Sequence, residues 1–275
     1  MEIKTTEIYS KSIITKSNLP DADYVINPYV GCSHACIYCY ARFMRRFTGH
    51  NEKWGQFIDV KINSEEIFPK QIEKYSGKSF FLSSVTDPYN PLEKKYRITR
   101  KILKKIIPIQ PILCIQTKSA LVTRDIDLLQ QFKKCMVGLT ITSNTDEVTK
   151  ILEPGASGFN EKISTLKKLN DNDIDTYVFI GPILPFITDW KKIIETTKKY
   201  VNTFMFENAN LHGTIWKDVK NIINSKFPNL SENYEEFYSN RINYWENEEK
   251  RIIDFCNSDK LKYKIYFNHK KIRKN

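Results

Sequence analysis

From Phe80 onward, short apolar runs alternate with longer amphipathic ones. FFLSSV precedes RITRKILKKI, and ILCIQT precedes TRDIDLLQQFKK. VGLTIT leads toward EKISTLKKL, TYVFIGPIL toward DWKKIIETTKKY, and VNTFMFENA closes the series. Short apolar runs bounded by turn residues read as buried strands, and the longer ones as helices with one apolar face. Strands alternating with helices predict right-handed βαβ units and a parallel sheet. Upstream, DYVINPYV reads as one more strand, ending at a group of cysteines, with CYARFMRRF after it as the first helix. FIDVKI at 57–62 reads as an accessory strand outside the series. The fold class is therefore α/β, with six major parallel strands that fit an open, incomplete βα barrel.

The pattern changes from about Leu211, where helices rich in Tyr, Trp, Asn and Glu (ENYEEFYSNRINYWENEEKRIIDF) precede an apolar alternation, KYKIYF, and a basic tail, HKKIRKN. We divide the chain into a barrel at 1–210 and a C-terminal extension at 211–275 that packs on it. Hydrophobic residues make up 41% of the 275, enough for a sizeable core. No stretch approaches the roughly 20 apolar residues of a membrane-spanning helix. MEIKTTEIYSKSIITK lacks the apolar run of a secretory signal, so a cytoplasmic protein with no membrane partner is expected. The net charge of +11 would attract phosphate, on nucleic acid or on a nucleotide. The same lysines also read as the solvated faces of helices, so charge permits that partner without establishing it.

Three of the six cysteines, Cys32, Cys36 and Cys39, crowd into C-x3-C-x2-C directly after a strand and Gly31. Clustered thiols in a cytosolic chain point to metal rather than to disulfides. Three thiolates on one tight loop can hold three corners of a cubane, leaving one iron open for a ligand. A zinc site would need a fourth ligand, for which His34 and His50 are the nearby candidates. Cys114 inside an apolar strand, Cys135 beside one and Cys256 in a helical run read as small buried hydrophobes.

NPYVGCSHACIYCYAR resembles the cluster loop of the radical S-adenosylmethionine (SAM) superfamily, in its spore photoproduct lyase-like branch. The resemblance continues through SSVTDPYNPLEKKYRITRKIL, QTKSALVTRDIDLL, LEPGASGFNEKISTLKKL and GPILP, covering roughly 24–190. RFMRRFTGHNEKWGQFIDVKIN also resembles radical SAM mobile pair proteins. The family implies a partial (β/α)6 barrel, a [4Fe–4S] cluster on Cys32, Cys36 and Cys39, and SAM bound at the open iron. It also implies a flavodoxin- or ferredoxin-like reductant, and cleavage of SAM to methionine and a 5′-deoxyadenosyl radical.

Carried onto this chain, the resemblance makes Tyr38 the aromatic that packs against SAM, with a plain core aromatic as its alternative. Ser83, Ser84, Thr86 and Asp87 close the second strand, where the family binds the methionine amino group. Asp87-Pro88 and Asn90-Pro91 also read as a turn, and both readings can hold together. Lys118 resembles a lysine that pairs with the cofactor carboxylate. Thr140 and Thr142 match hydroxyls that contact SAM, and their alternation lets both face the barrel interior. Tyr40 is the candidate catalytic aromatic, and Glu207, Asn208 and Asn210 end the sixth strand where substrate would lie. Lyases of that branch carry a hydrogen-donating cysteine in the second-strand loop, but SSVTDP has none, so repair of the spore thymine dimer is not expected. Radical chemistry on nucleic acid is the leading function. Its alternatives are radical modification of a peptide or protein side chain, and a non-catalytic iron–sulfur or zinc protein that binds nucleic acid.

Overall fold

The apolar runs become strands of two sheets in the computed structural model, which describes residues 3–267. HKKIRKN at 269–275 lies outside the described residues. In chain order the strands are β1 (Lys4–Ile8), β2 (Ile14–Lys16), β3 (Tyr24–Ile26), β4 (Tyr29–Gly31), β5 (Phe57–Lys61), β6 (Ser79–Leu82), β7 (Ile112–Thr117), β8 (Cys135–Thr140), β9 (Asp175–Ile183), β10 (Thr203–Asn208) and β11 (Tyr263–Ile265). The α-helices are α1 (Glu93–Tyr96), α2 (Ile98–Ile106), α3 (Ile126–Leu129), α4 (Asp146–Leu152), α5 (Phe159–Asn170), α6 (Trp190–Thr197), α7 (Gly213–Lys226), α8 (Ser231–Ser239) and α9 (Arg241–Ser258). The larger sheet runs β11-β10-β9-β8-β7-β6-β3-β2, parallel throughout except for β2 against β3. It does not close, so the architecture is a partial βα barrel.

Period-two alternation builds both faces of this sheet. Leu113 and Ile115 of β7, Val137 and Leu139 of β8, and Val178 and Ile180 of β9 are buried in the core. The helices cover that face: α2, for example, buries Ile98, Ile102, Leu103 and Ile106. Each such side chain contributes about 1.5–3 kcal/mol when fully buried. The alternate positions, among them Cys114, Gln116, Thr140, Tyr177 and Phe179, line the barrel interior. Tyr177 crosses that interior over Gly138, where a Cβ would sit 2.0 Å from the tyrosine ring. Glycine at 138 is what lets the ring lie flat on the sheet.

Several expectations need correction. DYVINPYV is two strands rather than one: β3 belongs to the barrel sheet, and β4 pairs antiparallel with β5 in the sheet β1-β5-β4. Pro28 has no N–H to continue a ladder. The Asn27 side chain turns away to accept from the Ser84 and Val85 N–H groups at 3.0 and 3.2 Å. FIDVKI is indeed accessory, as β5. CYARFMRRF forms a 3₁₀ helix, Tyr40–Phe47, rather than an α-helix. TRDIDLLQQFKK begins in a 3₁₀ turn, Ala120–Asp125, and continues only into the short α3. KYKIYF supplies β11, which pairs in parallel with β10, so the division at residue 210 cuts through one sheet. Helix α9 lays Glu248, Ile252 and Cys256 inward, and Glu248 accepts a hydrogen bond from the Trp190 indole of α6. Cys256 is the small core hydrophobe its sequence suggests. Among the described residues, no helix is long and apolar enough to cross a membrane.

Candidate active site

The cysteine loop leaves β4 at Gly31 and re-enters regular structure at Tyr40, at the carboxyl ends of the barrel strands. Cys32 and Cys36 are buried, Cys39 is half-buried, and all six cysteines are free. The LEPG segment after α4 grips the loop through its backbone. Ile37 N–H donates to Leu152 O at 3.0 Å, and Gly155 N–H to His34 O at 3.1 Å. A Cβ on Gly155 would stand 2.1 Å from Ser33 O, so only glycine permits this approach. On the other side Thr86 Oγ1 donates to Gly31 O at 2.5 Å, and Ser83 Oγ to Ile26 O at 3.1 Å.

Asp87 anchors the loop to the next strand. Its carboxylate accepts from Thr117 Oγ1 at 2.6 Å and from the N–H groups of Lys118 and Tyr89 at 2.9 Å each. His34 Nδ1 lies 3.2 Å from the same carboxylate, with its side chain only 1% exposed. Burial disfavours the ionised acid here, but His34 and the hydrogen-bond donors outweigh it and hold the Asp87 pKa below its ordinary value.

The three thiols suit a bound metal centre. Burial raises the pKa of all three, and for Cys32 the nearby Asp87 and Cys39 raise it further. Three thiolates so placed need positive charge in their midst, which iron supplies. The buried indole N–H of Trp54 has no hydrogen-bond acceptor among the described residues and lies beside Cys39, whose thiolate it would favour. Indole donation of that kind suits a cluster-bound sulfur.

Beside the loop lies a charged box whose acid is absent from the sequence-based candidates. Glu153, 1% exposed, meets Lys162 Nζ at 2.7 Å and Lys118 Nζ at 3.4 Å, and it accepts the Tyr38 hydroxyl proton in a hydrogen bond. Thr142 Oγ1 lies 3.1 Å from that hydroxyl and 3.2 Å from Gly181 O, to which it donates. Burial opposes the Glu153 charge, but the two lysines drive its pKa far below the carboxylate range. Burial likewise opposes the Lys118 charge, and Glu153, Cys36 and Asp87 outweigh it, so this ammonium stays protonated. Lys118 presents its ammonium to the cavity. A carboxylate ligand is the natural partner for that cation. The sequence signal for this box was a lysine on an apolar stripe: Lys162 shares the buried face of α5 with Phe159, Leu166 and Leu169.

The cavity above this floor measures about 1280 Å³ and runs down the barrel interior from the cysteine loop. Ser83, Ser84, Thr86, Asp87, Thr140 and Lys118 line it, as do Glu207, Asn208 and Asn210 from the end of β10. Thr142 is turned instead toward Tyr38 and Gly181. Tyr40 stands half-exposed at the mouth, its hydroxyl donating to the Ser84 carbonyl. Gln116 and Cys114 line the cavity as well. Gln116 Oε1 accepts from the Tyr177 hydroxyl at 3.2 Å, and Cys114 Sγ lies 3.5 Å from that hydroxyl. Cys114 is thus a cavity-lining thiol rather than a core hydrophobe, because β7 turns its even-numbered positions inward. Burial pushes its pKa up to about 11, so it remains S–H near neutral pH.

Burial also raises the Glu207 carboxyl to about 7, against the opposing pull of Lys118. An acid raised above its ordinary 4.5 contributes stability that is complete below that value and lost as pH rises through about 7. We expect Glu207→Gln to flatten the decline in Tm between about pH 5 and about pH 8. Parallel Tm–pH curves for the two proteins would show that this carboxyl titrates normally.

A family model described as the Radical SAM superfamily matches residues 26–198. An uncharacterized protein of Methanocaldococcus jannaschii is 38% identical over 253 residues, covering 92% of each chain. A protein of Pseudomonas phage M6 named radical SAM Nalpha-GlyT isomerase is 24% identical over 162 residues, 58% of this chain and 33% of its own. Among solved structures, a spore photoproduct lyase variant with bound AdoMet and dinucleoside spore photoproduct shares 18% identity at a TM-score of 0.61. That match covers 80% of this chain and 66% of the lyase chain, and it is a likeness of fold.

Proposed function

Because the chain belongs to the radical SAM superfamily, whose cofactors are a [4Fe–4S] cluster and SAM, we propose that Cys32, Cys36 and Cys39 hold the cluster and that the adjoining cavity is where SAM meets a nucleic-acid substrate. One observation carries the reading: a largely buried three-thiol loop opens onto a large cavity into which Lys118 presents its ammonium. With both cofactors bound, the site supplies reductive cleavage of SAM to methionine and a 5′-deoxyadenosyl radical that takes hydrogen from the substrate.

The chain's own residues bind and orient. Lys118 pairs with the SAM carboxylate, Tyr38 packs against the cofactor with its hydroxyl locked on Glu153, and Ser83, Ser84 and Thr140 offer hydroxyls from the cavity wall. Asp87 has a positioning role, since its oxygens already hold Thr117, Lys118 N–H and His34. Tyr40 at the mouth and Glu207 on β10 are the groups nearest an incoming substrate. Support for nucleic acid comes from the +11 charge and from the printed title of a relative in fold, the lyase with its dinucleoside. A peptide side chain is the rival substrate.

The test is anaerobic: dithionite-reduced protein should release 5′-deoxyadenosine and methionine from SAM. Lys118→Ala should weaken SAM binding about tenfold or more, the cost of one buried charge-assisted contact, while leaving iron content unchanged. Wild-type SAM affinity in that variant would displace the cofactor from this end of the cavity.

A further inference from the structure

We propose that the exposed row Tyr40, Phe43, Arg46 and Phe47 is a docking track that delivers single-stranded nucleic acid to the cavity mouth. The inference rests on the nucleic-acid reading above and says where the strand outside the cavity lies.

In a 3₁₀ helix, side chains three apart eclipse one another. Tyr40, Phe43 and Arg46 therefore form one row along Tyr40–Phe47, with Phe47 beside its end. The rings are 52%, 42% and 66% exposed for Tyr40, Phe43 and Phe47. Three of the seven large hydrophobics exposed among the described residues thus fall within this single helix, a concentration rather than scatter. Folding does not require this face, because the helix is anchored by its other side. Ala41 is buried, Arg42 bonds Cys39 O at 3.1 Å and Asp218 at 2.6 Å, and Arg45 bonds His50 O at 3.2 Å and Asn51 O at 2.8 Å.

The chemistry of the row selects its occupant. Arg46 holds its guanidinium 5.6 Å from the Phe43 ring centroid and 4.6 Å from that of Phe47. Flat rings interleaved with a cation suit a ligand that carries flat bases on an anionic backbone. The net charge of +11 draws the same ligand. Tyr40 joins the row to the interior, since it lines the cavity and its hydroxyl is tied to Ser84 at the strand end. An acidic electron-donor protein would be drawn by charge more than by rings, and this row offers one cation to three aromatics.

The experiment uses full-length, anaerobically reconstituted protein and a fluorescently labelled oligothymidylate of about 12 nucleotides, read by anisotropy at low salt. Wild type should bind, and more weakly as salt rises. Phe43→Ala/Phe47→Ala should lose about tenfold or more in affinity through lost stacking. Arg46→Gln should lower the slope of log affinity against log salt by about one. Both variants should keep wild-type iron content and dithionite-driven SAM cleavage without nucleic acid, which excludes misfolding. If wild type binds and the double variant binds equally well, the track is refuted while the nucleic-acid reading stands. If wild type binds no strand, both fall. If the double variant keeps its strand affinity but loses flavodoxin-driven cleavage alone, the row belongs to the electron donor and the proposal is overturned.

Discussion

Cys32→Ala, Cys36→Ala and Cys39→Ala are each expected to take anaerobically purified protein from about four irons per chain to essentially none. 5′-Deoxyadenosine formation should vanish with the iron. The reason is geometric as well as chemical. Backbone hydrogen bonds with the LEPG segment and the Thr86 hydroxyl bond to Gly31 O hold the loop, so it cannot readily rearrange to bring another ligand to a lost thiolate's place. Cys256→Ala is the control, because Cys256 lies on the core face of α9 and its loss should leave iron content unaltered. Stoichiometric zinc in place of iron in wild type under strict anaerobiosis would overturn the cluster assignment.

Glu153→Ala is expected to be the most destabilising single change outside the cysteines. It strands Lys162, whose side chain is 1% exposed, and removes the acceptor of the Tyr38 hydroxyl. Breaking a buried pair by deleting one partner costs about 3–5 kcal/mol, or a fall in Tm on the order of 10 °C for a chain of this size. Adding Lys162→Met should recover part of the loss, since the two side chains touch and their effects will not add. The sign with pH follows from the depressed Glu153 pKa. The carboxylate's contribution is complete above the ordinary value of 4.5 and is lost as pH falls below it, so the gap between wild type and Glu153→Ala should narrow in acid. Equal melting temperatures at neutral pH would mean that the box carries no stability.

The two substitutions probe features of unequal legibility. The cysteine triplet is a local pattern: its spacing, after a strand and a glycine, specified the loop before any tertiary contact was known. The strand series was equally plain, because a barrel strand buries one face under helices and alternates accordingly; all six major strands appear where the apolar runs stand. Ser83, Ser84, Thr86, Asp87, Lys118 and Thr140 were legible too, since residues that end parallel strands gather at one rim whatever the intervening loops do.

Glu153, Lys162 and His34 were not legible as a site. Glu153 lies 115 residues from Tyr38, and only the packing of α4 and α5 against the cysteine loop brings the two together. The break in DYVINPYV depended on Asn27 finding the N–H groups of Ser84 and Val85, 57 and 58 residues away. Cys114 reads as apolar filler in sequence because a small thiol in a strand is usually buried. Whether it faces core or cavity is a matter of register, and register is settled by which neighbours the strand pairs with. By itself, the sequence determined the order of strands and helices and the place of the cysteine loop after a strand, which rest on local periodicity and spacing, while the rim candidates came from the family resemblance. Tertiary structure alone decided the ion pairs of Glu153 with Lys118 and Lys162, the inward turn of Cys114 and the union of β11 with the barrel sheet, because each depends on contacts that the sequence pattern does not show.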